Sequence, residues 1–156
     1  MHPRFATLAE SLSPSLDRLL ACNPRTSGTL PKNVVPKSGI YLFSEGDTHL
    51  YVGRSNRLRS RIRRHGTLTS KHNVASFAFL IARRDTGRVN ASYKTKNSRA
   101  ELENDPVFSA AFTQAKQRIS RMSVRWVEEQ DQLRQALLEM YVHVALETQF
   151  NDFDTH

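Results

Sequence analysis

The sequence predicts a mixed α+β domain, on three observations. Gly39-Ile40-Tyr41-Leu42-Phe43 and His49-Leu50-Tyr51-Val52-Gly53 are strand-like runs joined by the turn residues Ser44 to Thr48, the pattern of a β-hairpin. Phe108, Ala111, Phe112, Ala115 and Ile119 recur at helical period after Asn104-Asp105-Pro106, a capping side chain followed by proline at the first helical position. Met122, Val124 and Trp126 then alternate with Ser123 and Arg125 as a half-buried strand, and Asp131 caps a last helix from Gln132 to about Thr148.

The remaining elements follow in order. Residues 1–21 hold one or two short helices, with Ser13-Pro14 as a cap and first turn and Leu16, Leu19 and Leu20 at helical spacing. Cys22 to Ser38, rich in Pro, Ser, Thr, Asn and Gly, reads as a loop, so 1–37 is expected to be a helical arm lying on a domain that spans 38–156. Ser55 or Asn56 caps a helix to His65 whose Leu58 and Ile62, four apart, face the core. The apolar run Phe77 to Ile81 and the segment Val89 to Tyr93, either side of the turn Asp85-Thr86-Gly87, are expected to be two further strands. The last helix is apolar over most of its circumference, which predicts deep burial.

The 156 residues are enough for one domain, and 38% hydrophobic residues are enough for a core. No apolar run nears the roughly 20 residues that span a bilayer, and Met1-His2-Pro3-Arg4 opens no secretory signal. The single cysteine, Cys22, excludes an internal disulfide and a cysteine zinc site. The expectation is a soluble cytoplasmic protein. Its formal charge of +8 is unevenly spread. Arg54 to Arg99 carries thirteen basic residues and one acid, Asp85, which leaves the rest of the chain net negative. Such a gathered excess suits a polyanion as partner; it also suits a merely solvated basic face.

Tyr41 and Tyr51 lie on opposite arms of the hairpin and share a face if it is regular. Nearby cations favour a phenolate, so the pair can polarise a water near a phosphate, or can be two core aromatics. Arg54, Arg57, Arg61 and Arg64 recur at spacings of three and four, with Arg61 nearest the core, where a guanidinium can fork two phosphate oxygens. Arg59 and Arg63 read as solvated charges. His65, one turn beyond Arg61, reads either as a proton-transfer group or as a hydrogen bond at the helix end. Glu139 stands among Leu137, Leu138, Met140, Tyr141 and Val142, so it must be paired, hydrated or metal-bound. One carboxylate with waters and a substrate phosphate is an ordinary Mg²⁺ site. A Glu139/His143/Glu147 metal stripe and a plain polar face of Gln132, Gln135, Glu139 and His143 are the rival readings.

Taken together, these residues resemble the GIY-YIG nucleases. Gly39-Ile40-Tyr41 precedes Tyr51-Val52-Gly53 at the family's hairpin spacing, and Arg61 stands ten residues after Tyr51, with His65 four further on. Glu139 and Asn151 are twelve apart toward the C-terminus, after the strand at 124–127. The resemblance covers roughly 38–65 and 122–151. It departs in the extra Arg57 between Asn56 and Leu58, and in a long insertion, about 66–121, read as strands and one helix.

The resemblance implies a small central antiparallel β-sheet flanked by helices, and a metal-dependent endonuclease that hydrolyses phosphodiester bonds with one Mg²⁺ or Mn²⁺ per active site. It implies that Glu139 holds the metal and Arg61 steadies the scissile phosphate. Tyr41 and Tyr51 would organise or deprotonate the water, with Tyr41 preferred as base. His65 is then an accessory acid–base group, Asn151 positions backbone, Gly39 and Gly53 are structural, and Gly53 brings the backbone close to the arginine helix. The expected partner is duplex or branched DNA, cut by a restriction-like or a structure-specific repair enzyme. A homodimer would suit a palindrome and a monomer branched or damaged DNA. No membrane and no small-molecule cofactor is expected. Arg54, Arg57, Arg64, Lys71, Arg83, Arg84, Arg88, Lys94, Lys96 and Arg99 are the expected phosphate contacts, with Asn90 and Asn97 toward base edges. The alternative is a non-catalytic nucleic-acid-binding module on the same fold.

Overall fold

A computed structural model describes residues 1–88 and 98–153. Its elements are α1 (Pro3–Glu10), α2 (Leu12–Ala21), β1 (Arg25–Thr26), a 3₁₀ turn (Ser27–Thr29), β2 (Gly39–Glu45), β3 (Thr48–Ser55), α3 (Leu58–His65), α4 (Ser76–Thr86), α5 (Arg99–Asn104), α6 (Pro106–Ser120), β4 (Ser123–Glu128) and α7 (Gln132–Leu146). The class is α+β. One antiparallel sheet has the order β1-β4-β2-β3, with helices on both faces.

The centre of the sheet is β2, and its sequence says why: Ile40, Tyr41, Leu42 and Phe43 are all at most 1% exposed, as a strand covered on both faces requires. Alternate residues part to the two sides. Ile40, Leu42, Val52 and Val127 pack against Leu12 and Leu19 of α2 and Leu138 and Val142 of α7. Tyr41, Phe43 and Val124 face the larger core, filled by Leu58 and Ile62 of α3, Phe77, Phe79 and Ile81 of α4, and Phe108, Phe112 and Ile119 of α6. Gly39 begins β2 at φ +153, where a Cβ would run into the Val127 carbonyl, so the first glycine is structural.

Several expectations hold in detail. Asp105 accepts from the Val107 and Phe108 amides, 3.0 Å each, with Pro106 in the first turn of α6. Asp131 accepts from Arg134 N at 2.8 Å to start α7. Others are corrected. Phe77 to Ile81 is not a strand; it is the buried middle of α4, which ends at Gly87 in a left-handed cap, so Asp85-Thr86-Gly87 is a helix end rather than a hairpin turn. The second expected strand, Val89 to Tyr93, lies outside the described residues. The helix after the hairpin begins at Leu58, with Arg57 at the cap position, because Ser55 Oγ accepts from Arg57 N and holds a turn there. In the N-terminal segment Ser11, not Ser13, precedes α2, and Pro14 sits inside its first turn. The loop 22–38 contributes β1, which pairs Arg25 and Thr26 with Val124 and Ser123. Finally, α7 is not deeply buried. Leu133, Met140 and Val144 are more than half exposed, and the helix buries only Gln135, Leu138 and Val142. No helix among the described residues is long and apolar enough to cross a membrane.

Candidate active site

Register brings the two tyrosines together. Tyr41 pairs across the hairpin with Gly53, and Phe43 with Tyr51, so Tyr41 and Tyr51 share a face with ring centroids 6.4 Å apart. The Tyr41 ring lies over Gly53, where a Cβ would overlap its Cζ and Oη. The glycine therefore makes room for the tyrosine, not for the arginine helix as the sequence suggested.

At the C-terminal end of α3 the His65 ring is fully buried, and its Nε2 is 2.7 Å from Tyr41 Oη. Its Nδ1 has no hydrogen-bond partner. Burial, reinforced by the Arg61 charge, holds the imidazole well below its ordinary pKa, so His65 is neutral. An orphaned buried acceptor is cheaper than an orphaned N–H. The tautomer that leaves Nδ1 bare therefore prevails, and Nε2–H donates to the phenol oxygen of Tyr41. The phenol O–H of Tyr41 then remains for another acceptor.

Arg61, one turn before His65, is half-buried. It donates from Nη1 to the Val74 carbonyl at 2.6 Å and from Nη2 to Ser76 Oγ at 3.2 Å. Those bonds use two of the five N–H donors and fix the plane of the fork. The Arg61 charge acts on Tyr41, Tyr51, His65 and Glu139 alike. It does not make phenolates. Burial outweighs it, and both phenols are pushed above their ordinary range, Tyr41 well above. The expectation that neighbouring arginines would ionise a tyrosine is therefore corrected: both rings are neutral phenols.

Glu139, on α7, completes the group. Its side chain is 21% exposed, and Oε2 accepts from Arg54 Nε at 2.9 Å. Burial raises its pKa and Arg54 and Arg61 pull it back. Glu139 is thus paired and reachable, not enclosed among the apolar residues that flank it in sequence. Among the described residues no group of three His, Cys, Asp or Glu side chains is gathered to hold a metal. His143 is bonded instead to Thr148 Oγ1 at 2.7 Å, and Glu147 lies past the end of α7 in a left-handed turn. A lone carboxylate fits an ion that keeps its own waters and takes a phosphate oxygen, as Mg²⁺ does, and does not fit a transition-metal cage.

Asn151 stands apart from this cluster and acts on its frame. Its Oδ1 accepts from Val52 N at 2.8 Å, its Nδ2 donates to Val52 O at 2.7 Å, and Phe150 N donates to Leu50 O at 2.9 Å. The C-terminal segment thereby pairs with the outer edge of β3, the strand that carries Tyr51.

The expected phosphate contacts divide. Arg57, Arg64 and Lys71 are exposed. Arg54 is committed to Glu139, Arg84 donates to Gln149 O and lies 3.9 Å over the Phe150 ring, and Arg88 pairs with Asp105 at 3.1 Å. Arg83 is buried and Arg99 exposed. Lys94, Lys96, Asn90 and Asn97 lie outside the described residues. Arg59 is not a solvated charge: it donates to the Leu30 and Pro31 carbonyls at 3.1 and 3.2 Å and ties down that loop.

Three positioning residues are not evident from the sequence. Ser76 holds Arg61, Phe77 stacks on Tyr51 at 4.7 Å with planes 9° apart, and buried Gln135 joins Asn56 Oδ1 to the Glu129 carbonyl, docking α7 at the end of the hairpin. Only the packing of α4 and α7 brings them to the site, so no local pattern could have found them. Compared with known protein families, with curated proteins and with solved structures, the chain has no significant match.

Proposed function

We propose that this protein is a Mg²⁺- or Mn²⁺-dependent endonuclease that hydrolyses phosphodiester bonds in DNA, of restriction-like or structure-specific repair type. One observation carries the proposal. Tyr41, Tyr51, Arg61, His65 and Glu139, from two strands and two helices, form one electrostatically coupled group. Two aromatic core residues would need neither a buried histidine on one phenol nor an anchored guanidinium beside both. Non-catalytic packing leaves that arrangement without a use.

In this reading Glu139 holds the divalent ion, which when bound neutralises phosphate charge and acidifies a water. Arg61 presents its remaining donors to the scissile phosphate and gains most where charge builds up in the displacement. Tyr51, half-buried at the sheet edge, orients the water. Tyr41, its oxygen already accepting from His65, keeps its O–H to order that water. Because both phenols are neutral in the free protein, a phenolate base would need the positive charge of the ion and of Arg61 to outweigh burial. The single unpaired Cys22 suits a cytoplasmic enzyme.

Cleavage of supercoiled plasmid with Mg²⁺ tests this, for the parent beside Glu139→Ala and Arg61→Ala. The parent is expected to nick or cut, and both variants to bind DNA without cutting. Discrete fragments would assign the restriction type, and nicking confined to branched substrates the repair type. DNA binding without cleavage on plasmid, branched DNA and RNA would replace the proposal with the binding-module reading. Full activity in Glu139→Ala would refute the metal assignment.

A further inference from the structure

We infer that Arg83 and Arg99 form a second oxyanion site, apart from the tyrosine–arginine cluster, that takes a backbone phosphate of bound nucleic acid about three nucleotides from the one at Arg61. The choice of ligand rests on the nuclease reading.

Arg83 lies in the last turn of α4 and is 4% exposed, yet its Nε and Nη2 have no hydrogen-bond partner. Its neighbours on the same helix and beyond are satisfied within the chain, Arg84 by the Gln149 carbonyl and Arg88 by Asp105. Arg83 is the exception. A guanidinium taken out of water with two donors unmet is unfavourable unless something else meets them.

A second cation makes the case stronger. The guanidinium carbons of Arg83 and Arg99 lie 4.9 and 5.3 Å from the centroid of the same ring, Phe79. Burial and the Arg99 charge both press on the ionised form of Arg83, and Asp152 is the acidic group that relieves it in part. An anion with two or more acceptor oxygens would meet both orphaned donors in a fork and cancel the repulsion between the arginines. A phosphodiester has that geometry.

The place of the pair selects a backbone phosphate. Ser76, which anchors Arg61, and Arg83 are seven residues apart on α4. That is two turns, so both lie on one face, about 10 Å apart along the axis. Phosphates advance about 3.4 Å per nucleotide along one strand, so the same strand at Arg61 reaches Arg83 about three nucleotides on. The exposed Arg57 and Arg64 supply diffuse attraction, whereas Arg83 supplies a fixed point that sets register.

The test is a binding isotherm of a short labelled DNA duplex, in EDTA so that nothing is cut, across a salt series. The parent is compared with Arg99→Ala, a change at an exposed position, and with Arg83→Lys, which keeps charge and bulk and loses the fork. Thermal melts check folding. Arg99→Ala is expected to reduce the slope of log K against log salt by about 0.9, and Arg83→Lys to weaken binding several-fold at fixed salt. If the parent binds with a steep slope and both variants match it, the second site is refuted and the nuclease reading survives. If the parent does not bind DNA, that reading fails instead. The Arg83 Nε–H signal is then followed by NMR as inorganic phosphate is added, against chloride at equal ionic strength. A saturable shift would leave a free-oxyanion site and overturn the backbone-phosphate claim, and no shift would overturn both.

Discussion

The ring of Tyr41 occupies the space that a side chain at position 53 would fill: a Cβ on Gly53 would lie 2.9 Å from Tyr41 Cε1 and closer still to Cζ and Oη. The residue across the hairpin from the buried tyrosine must therefore be glycine. Gly53→Ala is expected to push the ring off His65 Nε2, costing about 1–3 kcal/mol as other overpacked cores do. Because it removes no functional group, it isolates geometry. Plasmid cleavage should fall with DNA affinity unchanged, and an alanine variant with the parent's melting temperature and activity would count against the tyrosine's placement.

The pair Tyr41–His65 also gives the protein a pH signature. The folded pKa of His65 is depressed, so the stability it contributes is full above the unfolded value near 6.5 and is lost as pH falls below it. One proton taken up on unfolding gives a slope of about 1.4 kcal/mol per pH unit in that window. His49 is depressed too, by burial and Arg125, and adds with the same sign. Glu139 has the opposite sign. Its raised pKa makes the fold more stable below about 4.5 and less stable as pH rises through its folded value. Urea midpoints between pH 5.5 and 8 for the parent, His65→Gln and His49→Gln separate the two histidines, and an unchanged slope in His65→Gln would refute the buried neutral imidazole.

Arg61 is held by a carbonyl and a serine hydroxyl rather than by an acid, which leaves its full charge for a phosphate. A lysine cannot span both acceptors in a plane. Arg61→Lys is expected to lower the single-turnover cleavage rate by about 10²–10³ with little change in duplex affinity. Ser76→Ala, which frees one arm of the fork, should give a smaller loss of the same kind. Equal losses in binding and cleavage would mean that Arg61 only attracts DNA.

Much of this architecture is legible in local chemistry. The hairpin shows in two short apolar runs about a polar turn, α6 in Asp105-Pro106, and the tyrosine pair in strand parity, because each depends on residues adjacent in sequence or register. The strand read at Phe77–Ile81 fails for a physical reason. A helix buried between α3, α6 and the sheet needs apolar residues on every side, so five in a row carry no period. The stop signal is present in Arg83-Arg84 followed three residues later by Gly87, basic residues in a last turn and a left-handed cap. The burial expected of α7 errs the other way. Leu133, Met140 and Val144 face solvent, because α7 covers the sheet with one stripe, and composition does not tell which stripe that is. Ser76, Phe77 and Gln135 were out of reach because their roles depend on where distant helices dock.

The edge of β3 supplies the last expectation. The Asn151 amide mimics a neighbouring strand, giving and accepting one bond at Val52, and Thr148 Oγ1 donates to its Oδ1 at 2.7 Å, which fixes the amide's orientation. Asn151→Ala removes both bonds at a half-buried edge, and each is worth about 1 kcal/mol. The expected loss of about 2 kcal/mol is some 4–8 °C in melting temperature for a chain of this size. Asn151→Asp keeps the acceptor but turns a carboxylate oxygen toward the Val52 carbonyl in place of the donor, so it should lose at least as much as the alanine variant. The functional effect is indirect: Tyr51 precedes Val52, so a loosened edge lets its ring leave the stack on Phe77. Cleavage is expected to drop about tenfold with Mg²⁺ dependence unchanged, because Glu139 on α7 is untouched. A shifted Mg²⁺ requirement in Asn151→Ala at the parent's stability would instead make Asn151 part of the ion's surroundings, and the clamp at Val52 incidental.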